Sequence, residues 1–145
     1  MLIRSYEERQ IRMNDKKHII LKYLRDEIWS NSLNLGQIIG VSKTAIYKTL
    51  NKLESQQLIR SHYIPELKFN IWGVTQKGLL YSWDEDEVME DRSCFEPSKI
   101  KAVMIQHHLD LQQARYQAEA VGWQKWLPGN QLPKGIAKRP DAIAE

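Results

Sequence analysis

The stretch Leu35-Gly36-Gln37-Ile38-Ile39-Gly40-Val41-Ser42-Lys43-Thr44-Ala45-Ile46-Tyr47-Lys48-Thr49-Leu50 limits the fold more than any other part of the chain. It holds two apolar-periodic pieces separated by a glycine and a serine. Residues 34–39 suit a short helix that buries Leu35, Ile38 and Ile39. Gly40 ends it, because glycine enters the left-handed conformation of a tight turn without a Cβ penalty. Val41 is placed to pack in the angle that follows. Ser42 is a good N-cap for a second helix to about residue 56, whose apolar stripe is Ile46, Leu50 and Leu53. A short helix, a tight turn and a capped second helix make a helix-turn-helix.

The flanks extend this motif into a domain. Asn14 is placed to cap a helix to about residue 29, with Ile20, Leu24 and Ile28 in one stripe and Leu21 beside them. Residues 1–13 read as a loose leader or an extra helical turn, and Ser30-Asn31-Ser32 as a break. Residues 58–64 favour a strand, and Pro65-Glu66 punctuates them. Residues 67–74 place apolar groups at Leu67, Phe69 and Ile71, the period of a half-buried strand. The pair reads as a β-hairpin. Thr75 caps a further helix carrying Leu79 and Leu80, with Trp83 near its end. Three helices, a hairpin and a fourth helix predict a winged helix-turn-helix over residues 1–83. The class is α+β, mainly α with a small hairpin.

Asp84-Glu85-Asp86-Glu87 and Glu90-Asp91 follow. Like charges repel and extend a chain, so residues 84–96 read as a solvated acidic linker. Pro97 suits the first turn of a new helix reaching about residue 120. Ile100, Met104, His107 or His108, Leu111, Ala114 and Ala118 fall on or near one face. Gly122 suits the position just past its end. The glycine- and proline-rich remainder has room for a short strand at 123–127 and the start of another after Pro140.

Hydrophobic residues make up 42% of the chain, enough for a packed core, yet no apolar run approaches the roughly 18 residues of a membrane span. The charged start has no apolar signal core. These features predict a cytoplasmic protein without a membrane partner. Cys94 is the single cysteine, which excludes an internal disulfide and thiolate zinc sites.

Charge distribution indicates the partner. Residues 1–64 hold eleven Lys/Arg against six Asp/Glu, and residues 65–145 hold ten against twelve. The positive excess lies on the half that carries the helix-turn-helix, where a polyanion would bind. The outward side of the second helix offers Ser42, Lys43, Thr44, Tyr47, Lys48 and Asn51. These hydroxyl, amide and ammonium groups suit phosphates and base edges. The early residues of such a helix meet bases, so Lys43, Thr44 and Tyr47 are assigned to base contacts. Lys48, Lys52 and Arg60 are assigned to phosphates, and Lys68 near the hairpin to backbone contact from the wing. Double-stranded DNA is the expected partner, with a second copy of the chain as a possible further one.

The C-terminal segment carries a second pattern: His107-His108-Leu109-Asp110-Leu111 and Arg115 on a helix, then Gly122-Trp123, Trp126, Leu132 and Arg139-Pro140-Asp141-Ala142. Over residues 15–145 the chain resembles the replication-relaxation family, which includes MobC-type plasmid mobilisation proteins. The resemblance implies a C-terminal segment from a restriction-endonuclease-like domain at 97–145. It implies a metal-binding and catalytic role for Asp141 and a catalytic role for His108 or its neighbour His107. A complete member would hold Mg²⁺ or Mn²⁺, because phosphodiester cleavage needs clustered carboxylates around a divalent ion. The sequence ends four residues after Asp141 and does not contain the later Glu-x-Lys-like strand. The nuclease half is therefore expected to be incomplete, with no cofactor bound. An adjacent histidine pair also lacks the i, i+4 spacing of a helical metal motif, which favours a packing or hydrogen-bonding role.

The functional expectation is sequence-specific binding of an origin region in plasmid mobilisation or replication, alongside other mobilisation proteins. The alternative is a winged-helix transcriptional regulator without cleavage activity.

Overall fold

Helix α1 (Tyr6–Glu27) runs straight through Asn14, the residue expected to cap it. The stretch before Asn14 contains no glycine or proline and places Glu7 and Glu8 in the first turn, where acids favour the helix dipole. An interior asparagine costs too little to stop such a run. The helix ends where Ile28 enters the left-handed region at φ 75°. This conformation is unusual for a β-branched residue. It turns the chain into strand β1 (Trp29–Asn31), where the sequence predicts only a break. The computed structural model describes residues 6–128 and 142–144. It divides into two compact units, Met1–Phe95 and Glu96–Glu145.

In the first unit, α2 (Ser32–Ile39) is capped by Asn31, whose side chain accepts the Asn34 N–H at 2.9 Å. Gly40 closes α2 at φ 65°, ψ 40°, the left-handed turn expected of it. Helix α3 (Lys43–Ser55) begins at Ser42, whose Oγ accepts the Ala45 N–H at 3.2 Å. Strands β2 (Ile59–Ile64) and β3 (Phe69–Val74) form the hairpin. Helix α4 (Gln76–Tyr81) is capped by the Thr75 hydroxyl.

The hairpin does not stand alone. β1 pairs antiparallel with β3, giving a three-stranded sheet in the order β1-β3-β2. β3 is thus central, and Ile71, Trp72, Gly73 and Val74 are all buried. Trp72 and Val74, with Ile59 of β2, join the helical residues Ile20, Leu24, Leu35, Ile46, Leu50 and Leu53 in the core. The opposite face at Gly73 is covered by Phe95, whose N–H donates to the Val74 carbonyl at 2.8 Å. This double coverage explains why the expected alternation at Leu67, Phe69 and Ile71 holds at Ile71 while Leu67 is exposed. The architecture of this unit is a winged helix-turn-helix.

The expected 84–96 linker needs correction. Up to Phe95 it belongs to the first unit, and two of its acids, Asp84 and Glu87, are bound to α1. Asp84 pairs with His18 at 2.5 Å and with Lys22, and Glu87 pairs with Arg25 at 3.1 Å. Self-repulsion along the run is offset by cations on a neighbouring helix, which linear reading of the sequence does not register.

In the second unit a single 3-10 turn at Pro97–Lys99 precedes α5 (Ala102–Ala120). Its buried residues are Ile105, Leu109 and Gln112. The expected stripe was phased on Ile100, which lies before the helix, so Met104 is exposed instead of buried. Gly122 follows the helix end at φ 102°. Two short strands, β4 (Leu127–Pro128) and β5 (Ala142–Ile143), pair antiparallel. No helix among the described residues is long and apolar enough to cross a membrane.

Candidate nucleic-acid interface

The buried stripe of α3 fixes what its other side can present. Ile46, Leu50 and Leu53 are buried, so the 3.6-residue period turns Thr44, Lys48, Asn51 and Lys52 outward. Lys43 and Tyr47 flank this face toward the N-terminal end. Ser42, Lys43, Thr44, Tyr47, Lys48, Asn51 and Lys52 are all exposed. The structure therefore brings seven of the nine residues assigned to DNA onto one helix and its cap.

Glu54 is the one acid between Ser42 and Gln56. It does not oppose the basic face, because its Oε2 accepts the Ser61 backbone N–H at 2.6 Å. This bond joins the last turn of α3 to strand β2. Two acids of the 84–87 run are also engaged: Asp84 and Glu87 are held by α1. The Lys22 and His18 hydrogen bonds pull the Asp84 carboxyl down to about 2. Glu87 is lowered too, first by the Asp84 backbone N–H and then by Arg25. Arg25 in addition lies over the Trp83 ring, 3.9 Å from its centroid.

These pairings sharpen the charge argument. Lys22 and Arg25 contribute to the positive excess of residues 1–64, yet both are matched by acids from the 84–87 run. Among the described residues, no ion pair engages Lys43 or Lys48 on the outward side of α3. Lys52 stands near the far end of α3, where its charge acts on Lys17.

The wing is short. Its turn, residues 65–68, is closed by the Leu67 and Lys68 N–H groups donating to the Ile64 carbonyl at 3.2 and 2.8 Å. Lys68 holds φ 58° and is exposed at the base of β3, as a wing contact requires. Arg60 is exposed on β2. It alternates with the core residue Ile59 and pairs with Gly73, so it lies on the sheet face that Phe95 covers, apart from the outward side of α3.

One contributor escaped the sequence reading. Ser32 Oγ donates to the Tyr47 hydroxyl at 3.2 Å, so the first turn of α2 orients the aromatic side chain of α3. The available signal was Asn31: as the cap of α2 it places Ser32 in that first turn, beside the partner helix.

In the second unit His108 Nε2 and Gln112 Nε2 lie 3.0 Å apart, one helical turn from each other, and Gln112 is buried. His108 is thus a hydrogen-bonding partner within α5. His107 is exposed. Asp141 lies outside the described residues. Among the described residues there is no cluster of three or more His, Cys, Asp or Glu able to hold a metal ion.

No family model and no curated protein matches the chain. Among solved structures it is similar to Lactococcus lactis ZitR, a zinc-responsive MarR family member. A ZitR double mutant in the apo form matches at 19% identity and TM-score 0.43, over 79% of this chain and 72% of that one. A ZitR mutant in complex with DNA matches at 19% and 0.42, over 82% of this chain and 62% of its own length. A MepR mutant from a multidrug-resistant S. aureus clinical isolate matches at 14% and 0.43, over 83% and 95%.

Proposed function

We propose that this protein binds duplex DNA sequence-specifically, with α3 in the major groove and the β2–β3 turn against the adjacent backbone, and that it acts as a transcriptional regulator. One observation carries the reading. The outward face of α3 combines Ser42, Lys43, Thr44, Tyr47, Lys48 and Asn51, while the single acid of that helix is turned to the Ser61 amide. Hydroxyl and amide groups near the helix start suit base edges, and the lysines suit phosphates. The regulator role needs binding alone, and the residues assigned to it lie in the first unit.

The test is duplex binding measured across salt. Binding is expected to weaken steeply with salt, and Lys43→Ala with Lys48→Ala together should lower the salt slope by about 2. Unchanged affinity and slope in that double variant would remove α3 as the reading helix.

A second role, in plasmid mobilisation, rests on the resemblance of residues 15–145 to the replication-relaxation family. It predicts Mg²⁺-dependent nicking of supercoiled plasmid that Asp141→Ala abolishes. A palindromic footprint without nicking supports the regulator.

A further inference from the structure

A cavity of about 490 Å³ opens in the first unit on the α1 side of the α3 C-terminus, lined by Lys17, His18, Leu21, Gln56, Leu58, Lys77 and Tyr81. Its size falls within the range of small-molecule sites. Two ammonium groups converge on one residue there. Lys17 Nζ donates to Gln56 Oε1 at 3.1 Å, and Lys77 Nζ donates to the Gln56 backbone carbonyl at 3.0 Å. Neither lysine meets a carboxylate among the described residues. Lys17 is only 9% exposed, an unusual position for a lysine whose partner is a neutral amide.

The rest of the wall divides cleanly. His18 is engaged by Asp84 at the rim, so the lysines are the cationic donors. Leu21 and Leu58 are buried and supply apolar surface. Tyr81 adds an exposed ring 6.0 Å from Lys77 Nζ. Burial first, and then the Lys52 charge, push the Lys17 ammonium below the ordinary lysine value. A nearby negative charge would relieve both effects.

We infer that this cavity binds a small organic anion, its carboxylate or phosphate head between Lys17 and Lys77 and its apolar body against Leu21, Leu58 and the Tyr81 ring. Gln56 is the C-cap of α3, so the occupant would sit at the end of the helix assigned to DNA. The site itself does not depend on that assignment.

The experiment is an amide-resolved NMR titration of the full chain, without DNA, using benzoate, phenyl phosphate and neutral benzamide. Saturable shifts at Leu21, Leu58 and Tyr81 are expected with the anions below about 10 mM, and none with benzamide. Tighter binding of benzoate identifies a carboxylate site, and tighter binding of phenyl phosphate identifies a phosphate site. Lys77→Gln, a change at an exposed side chain, should weaken binding about tenfold. The inference is overturned by no saturable shift with either anion, by equal shifts with benzamide, or by unchanged binding in Lys77→Gln. Loss of DNA binding by the α3 variants would leave it untouched.

Discussion

Phe95 occupies the space that a side chain on Gly73 would need. A Cβ built on Gly73 lies 2.0 Å from Phe95 Cγ and 2.2 Å from Phe95 Cβ. The Phe95 Cβ cannot retreat without breaking the bond from its own backbone N–H to the Val74 carbonyl. Gly73→Ala should therefore destabilise the first unit by about 1–3 kcal/mol through overpacking, lowering the melting temperature by roughly 5 °C or more. In a Phe95→Gly background the same change should cost clearly less, because both the ring and the Cβ that obstruct it are gone. Equal costs in the two backgrounds would show that Phe95 does not seal this face of β3.

Glu54 joins α3 to the wing strand β2 through the Ser61 amide. Removing the carboxylate with Glu54→Ala orphans a partly buried N–H, a loss of about 1–3 kcal/mol. It also frees β2 from the last turn of α3. Chemical denaturation should show the lost stability. Hydrogen exchange at the Ser61 amide should quicken more than at Ile71 in the central strand, and a uniform increase would count against a local tether.

The Asp84 contacts predict acid sensitivity. Lys22 and His18 hold its carboxyl near 2 in the folded protein, below the ordinary aspartate value of 3.8. As pH falls, the unfolded chain takes up the proton first, so stability falls with it. The contribution is present above about pH 4 and disappears as pH drops to about 2. Lys22, raised chiefly by its hydrogen bond to Asp84, loses its share on the alkaline side, above the usual lysine range. Melting temperatures of the wild type and Asp84→Asn should differ by a constant amount near neutrality and converge toward pH 2. Curves that stay parallel throughout would show that the pair contributes nothing.

The parts of this fold visible in the sequence are those set by neighbouring residues. The Gly40 turn, the Ser42 cap and the Ile46, Leu50, Leu53 stripe are each decided within one helical turn, and each stands where the periodicity put it. Strand β1 was hidden because Trp-Ser-Asn has no strand pattern of its own. Its partner is Gly73 and its neighbours, more than forty residues away. The acidic run differs from its expected linker for the same reason: its charges repel along the chain, but Asp84 and Glu87 meet His18, Lys22 and Arg25 on another element. At the candidate interface, periodicity identified the outward side chains of α3. It could not show that Arg60 shares the sheet face covered by Phe95, since that depends on which face of β2 the core takes.

Tyr47 concentrates what the sequence did and did not show about this interface. Its place on α3 was evident, but its hydroxyl is held by Ser32 from the start of α2. An exposed tyrosine so oriented presents its ring edge in one direction at reduced entropic cost on binding. Tyr47→Phe removes the bond while keeping the ring, and both groups remain in contact with water, so the fold should lose less than about 1 kcal/mol. If Tyr47 meets a base, affinity for the preferred duplex should fall by about fivefold to tenfold, while affinity for unrelated duplexes and the salt slope stay unchanged, because phosphate contacts are untouched. Ser32→Ala should reproduce the smaller part of that loss without removing the tyrosine hydroxyl. If both variants bind preferred and unrelated duplexes as the wild type does, Tyr47 faces water in the complex and base reading falls to Lys43, Thr44 and Asn51.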